Sequence, residues 1–94
     1  METQTGTFVI EDAFNITRLG LVLVGSASGE IAIGQQLLLA NGNRWRIKAI
    51  NLLNVANQTE RHGLLVDAPV ISRQELLAAG IIGSTVPVLA FSNA

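Results

Sequence analysis

The sequence predicts an all-β domain of six or seven short strands and one helical turn, folded as a closed or nearly closed antiparallel barrel, with a β-sandwich as the alternative. Three observations carry this expectation. Apolar and polar residues alternate with period two in several stretches, as they do when one face of a strand lies on a core. Nine glycines punctuate 94 residues, roughly one every ten. Between two apolar runs stands Asn41-Gly42, the dipeptide most suited to a hairpin turn. At this length the chain is one domain, 1–94, with loose ends expected at 1–6 and 92–94.

The first strand spans Phe8 to Ile16, where Phe8, Ile10, Asp12, Phe14 and Ile16 share one face and Val9, Glu11, Ala13 and Asn15 the other. Phe8, Ile10, Phe14 and Ile16 are the expected core contributors. Asp12 interrupts their face and needs hydrogen bonds or a place at the rim, since burying a lone carboxylate is prohibitive. Thr17 to Gly20 is a turn and Leu21 to Val24 a continuous apolar strand. Gly25 marks a bulge or bend. Ser26 to Glu30 is turn-rich, Ile31 to Ile33 is briefly extended, and Gly34 reverses the chain into Gln36 to Ala40.

A type I′ turn at Asn41-Gly42 then leads to a strand from Arg44 to Leu53. Along it Arg44, Arg46 and Lys48 alternate with Trp45, Ile47 and Ala49, giving one cationic and one apolar face. A polar loop, Asn54 to Thr59, precedes a strand from Arg61 to Asp67. Ser72 and Glu75 have the spacing of a capping box, Leu76 to Ala79 favour helix, and Gly80 sits where such a helix ends. The closing strand is Val86 to Phe91, where Pro87 requires an edge or an unpaired position.

Hydrophobic residues make up 49% of the chain and charged ones 14%, a balance that leaves apolar surface exposed and predicts a protein partner or self-association. The net charge of -1 sets up no global field toward nucleic acid or an anionic membrane, so any RNA contact has to be local. There is no cysteine, hence no disulfide or thiolate chemistry. The start METQTGTF has no apolar core of the signal-peptide type, and the run Ala78 to Phe91 falls short of the ~20 apolar residues that span a bilayer. A soluble, cytoplasmic chain is expected.

Catalytic patterns are weak. Gly29 to Gly34 has the glycine spacing of a phosphate loop, yet Gln35-Gln36 occupies the Lys-Ser/Thr positions, so no bound nucleotide is expected of this chain. His62 is the single histidine and lacks an activated serine motif or further metal-ligating partners. Glu11 and Asp12 are adjacent in a strand and point to opposite faces, which is poor geometry for a dyad. We expect no enzyme activity, no cofactor and no metal. Arg44, Arg46 and Lys48 are the candidate nucleic-acid face, since alternate cations can follow a phosphate backbone.

The order of motifs adds a family likeness. An I-E-D-x-F-x-I block from Ile10 to Ile16, a turn ending in Gly20, an apolar strand closed by Gly25 and a G-x-I-x-x-G run ending at Gly34 resemble the opening of domain 2 of the translational GTPases, the β-barrel of elongation factor Tu and its relatives. The I-K-x-I core at Ile47 to Ile50, Gly63 before an apolar strand, and the segment 71–80 extend the likeness from about Phe8 to Leu89. It implies a small closed antiparallel Greek-key barrel acting as a binding or assembly module. It also implies that Glu11, Asp12 and Phe14, which match the block lining the family's aminoacyl-tRNA pocket, bind a ligand or partner. The chain departs from the family at the turn, where Arg18-Leu19-Gly20 replaces Gly-Arg-Gly, and it has no room for the GTPase domain.

Overall fold

The computed structural model describes residues 2–39, 41–53, 61–69 and 71–91. Six strands close into one antiparallel barrel in the order β1-β2-β5-β4-β3-β6, with β6 returning to β1. They are β1 (Glu2–Ile16), β2 (Gly20–Gly29), β3 (Gln36–Leu38), β4 (Arg44–Leu53), β5 (Arg61–Asp67) and β6 (Thr85–Phe91), and a short helix α1 (Arg73–Ala78) lies between β5 and β6. β3, β4 and β5 are successive antiparallel neighbours and β6 comes back beside β3, which is the Greek-key arrangement.

β1 is long because it serves two neighbours. Its first part pairs with β6 from Glu2 to Val9, and its later part pairs with β2 from Gly6 to Ile16. Residues 2–6, expected to be a loose end, are therefore strand, while 92–94 lie outside the described residues.

A bulge changes which side chains of β1 face the core. Ile10 pairs with Gly25 and Asp12 with Val24, so Glu11 is an extra residue without a counterpart on β2. One inserted residue flips every later side chain to the opposite face. Phe8 and Ile10 are 0% exposed and Ala13 joins the core, whereas Phe14 is 45% exposed and Ile16 37%. The expectation of Phe14 and Ile16 in the core is thus corrected. Gly25 permits the bulge: a Cβ there would overlap the Val9 carbonyl oxygen.

Three further expectations change. β2 continues through Ser26 to Gly29 instead of ending in a turn. Residues 31–35 form a turn in place of an extended piece, held by buried Gln35, whose Oε1 accepts from the Ala32 N–H at 2.8 Å. The β3–β4 reversal pairs the Leu39 N–H with the Asn43 carbonyl, and of Asn41-Gly42 only Gly42 has positive φ, so this is no type I′ turn. A three-residue connection with its last residue left-handed fits the twist of a hairpin equally well. The polar loop expected at Asn54 to Thr59 lies outside the described residues.

The interior is filled by Phe8, Ile10, Leu21, Leu23, Leu37, Trp45, Ile47, Leu64, Val66 and Val88, each 2% exposed or less. Fully burying such side chains contributes about 1.5–3 kcal/mol each before entropy is counted. Pro87 sits where the β3 ladder has stopped, since β3 reaches only Val88 and Leu89.

The helix adds Leu76 and Ile81 to the core. The Ser72 hydroxyl accepts from the Glu75 N–H at 3.1 Å, as the capping box predicts. At the other end Ile81 N–H reaches the Leu76 carbonyl, Gly80 N–H reaches the Leu77 carbonyl, and Gly80 has φ 75°. This double closure ends the helix and turns Ile81 back onto Leu76.

Candidate functional site

The acidic-aromatic block is split by the bulge. Glu11 accepts from the Ser26 hydroxyl at 3.3 Å and forms an ion pair with Arg61, linking β1, β2 and β5. Asp12 instead turns toward α1. Its Oδ1 takes the Arg73 Nε–H at 2.7 Å and the Ala13 N–H at 2.8 Å, and these bonds, Arg73 first, hold its carboxyl below the usual aspartate range. Both carboxylates are engaged within the chain. Phe14 is left facing solvent, so the three residues do not converge on one pocket.

Phe14 belongs to a different arrangement. It pairs across the ladder with Val22, Val22 with Leu65, and Leu65 with Ala49. All four face outward, because their chain neighbours Ala13, Leu21, Leu23, Leu64 and Val66 are in the core cluster and Ile50 packs against it. With strands about 4.8 Å apart, the row runs about 14 Å across the outer wall. Val22, although outside the barrel, is only 8% exposed, since Phe14 and Leu65 flank it. An apolar row of this kind on a solvent face makes cross-strand contacts worth a few tenths of a kcal/mol each and leaves apolar surface uncovered.

The cations of β4 do not make one continuous face. Arg44 is ion-paired with Glu2, Arg46 lies opposite Asp67, and Lys48 occupies a second bulge between Ile47 and Ala49. Trp45 is 2% exposed and points into the barrel, as expected, so it cannot stack on a base beside them.

Lys48 leads instead to a site the sequence did not disclose. An open groove of about 510 Å³ is lined by residues 15–20 of the β1–β2 turn together with Lys48 and Ala68. The turn is closed by the Leu19 N–H donating to the Ile16 carbonyl at 3.0 Å. Its third residue, Arg18, has φ 72°, the only described non-glycine residue with positive φ. Holding a residue with a Cβ there costs of order 1–3 kcal/mol. Leu19 is 55% exposed beside it. The available signal was the turn itself, where a bulky arginine stands at a position that favours glycine or asparagine.

His62 lies at the start of β5 opposite Gly25, half-buried, with Nδ1 lacking a hydrogen-bond partner. Glu11, which lies on the outer wall, is tied to Arg61 and Ser26 and does not reach it in any hydrogen bond. Among the described residues no three histidine or carboxylate side chains gather as a metal set. No described helix is long and apolar enough to cross a membrane. Comparison with protein-family profiles, curated proteins and solved structures gives no match to this chain.

Proposed function

We propose that this barrel is a non-catalytic, cytoplasmic binding module that docks a protein partner on the outer wall formed by β1, β2, β5 and β4. The observation that carries the proposal is the outward row Phe14, Val22, Leu65 and Ala49, built from residues whose neighbours already fill the core. Interface centres are apolar and aromatic in this way, with charged residues kept to the rim. The resemblance of the motifs to domain 2 of the translational GTPases favours the same kind of role, with a partner chain in place of the second wall.

RNA binding through Arg46 and Lys48 is the alternative and has less support, because Arg44 is engaged by Glu2 and Trp45 faces inward. A direct test is affinity capture from a cell extract with the wild-type chain and with Phe14→Asp, both checked for folding by circular dichroism. A protein retained by the wild type and lost by the variant is the expected result. Equal recovery by both, or retention of RNA with a steep salt dependence, would overturn it.

A further inference from the structure

We infer that the groove between the β1–β2 turn and Lys48 receives an acidic segment of the protein partner, one that sets an apolar side chain beside its carboxylates. This rests on the protein-docking proposal and names the chemistry of the partner.

Charge complementarity is the first ground. Of the six lysines and arginines, Arg44, Arg61 and Arg73 are ion-paired with Glu2, Glu11 and Asp12. Arg18 and Lys48 form no ion pair with any described carboxylate, and both line the same groove. Asp67 stands nearby in sequence but faces Arg46 across the ladder and is not part of the lining. Two cations that line one cleft and form no ion pair among the described residues offer a site to a carboxylate from outside.

Geometry is the second. Arg18 keeps a left-handed backbone that most side chains avoid, and strain of this sort concentrates where a ligand is clamped. Lys48 is set by a β-bulge, a device that re-aims a side chain. Ile16 and Leu19, 37% and 55% exposed, supply the apolar part of the same lining. Ile16 also lies two residues from Phe14 on the same outward face of β1, which places the groove next to the apolar row.

A nucleic acid suits this site less well. Phosphate-backbone affinity grows with the number of phosphates neutralised, and the groove has two cations and no aromatic residue to stack a base. A second copy of the chain would have to supply Glu30, Asp67 or Glu75, the described carboxylates outside the ion pairs of Glu2, Glu11 and Asp12, and the oligomeric state decides that case.

The test is to pan a random peptide library displayed on phage against the wild-type barrel, with counter-selection on the bare support, and to compare the selected peptides on the double variant Arg18→Glu with Lys48→Glu. Enrichment of Asp or Glu next to Leu, Ile or Phe is expected. The leading peptide should shift backbone amide resonances of residues 16–20, 48 and 68, and the double variant should weaken it about tenfold or more. A separate variant, Arg18→Gly, should raise the melting temperature by a few degrees while weakening the peptide, which a merely structural arginine would not do. No acidic enrichment, shifts elsewhere, undiminished binding by the double variant, or preference for single-stranded RNA over the peptide overturns the inference. Sedimentation that shows a dimer broken by the double variant overturns it as well, by assigning the groove to a second copy. Should the partner be lost with Phe14→Asp yet persist with the double variant, the docking surface stands and this groove assignment fails. Should it persist with both, the two fall together.

Discussion

The two halves of β1 share a strand and an apolar alternation, and they end on opposite sides of the barrel wall. Phe8 and Ile10 are fully buried, while Phe14 and Ile16, which continue the same sequence phase, are 45% and 37% exposed. Hydrophobicity does not distinguish the pairs. What separates them is Glu11, one residue without a counterpart on β2, seated where Gly25 leaves room for backbone. Facing is therefore set by counting residues across the ladder, and a single insertion turns the second half of a core strand into surface. The first half holds the barrel together, and the second half leaves apolar groups on the outer wall.

The largest effect should come from removing the device that separates the halves. Gly25→Val places a side chain where even a Cβ overlaps the Val9 carbonyl oxygen, and both are backbone-fixed. We expect loss of cooperative folding, or destabilisation beyond about 4 kcal/mol in denaturant titration. Gly34→Ala is the control: its Cβ meets nothing within 4 Å, so only its φ of 96° is strained and the expected cost is about 1 kcal/mol. If the two variants are equally stable, the bulge does not depend on Gly25.

A smaller effect tests the halves directly. Phe8→Ala opens a cavity at a site 0% exposed and should cost about 3–5 kcal/mol. Phe14→Ala removes a ring already in contact with water and should cost less than about 1 kcal/mol. Urea midpoints of the two variants measure the contrast. Similar losses would mean that Phe14 is core after all.

Local chemistry was legible in the sequence and long-range register was not. The cap at Ser72 and the stop at Gly80 are decided within one turn of helix, so residue spacing was enough to place both. The alternation of Arg44, Trp45, Arg46 and Ile47 likewise gave the correct faces. Beyond Glu11 the same rule failed, because a bulge depends on the facing strand. Its two traces were present, a carboxylate at Asp12 on an apolar face and a glycine at position 25, but they lie on different strands and only their pairing gives them meaning. Ser26 to Gly29 differs from its sequence expectation for a related reason: small polar residues suit a turn in isolation, and here they extend β2 because β1 lies alongside to pair with them. The groove was missed since Arg18, Lys48 and Ala68 come from three separate segments.

The smallest predicted effect concerns the residue just past the bulge. Asp12 is where the exposed half of β1 is tied to α1, through the Arg73 guanidinium and, within its own strand, through the Ala13 N–H. These donors favour the ionised carboxylate and lower its folded-state value below the ordinary 3.8. A lowered folded value means that the ion pair's stabilisation is complete above the unfolded value and disappears as pH falls through the folded one. The side chains of Asp12 and Arg73 are 49% and 56% exposed, so solvent screening limits the gain to about 0.2–1 kcal/mol. Asp12→Asn should be less stable than wild type by that amount at about pH 6, with the two converging as the pH falls below the lowered folded value. Amide exchange adds the sharper reading. If this half of β1 serves as surface and not as core, loosening Asp12 should speed exchange in α1 while leaving Phe8, Ile10 and their partners on β2 protected. Faster exchange across the whole barrel would instead tie both halves into a single cooperative unit, and the division of labour along β1 would fail.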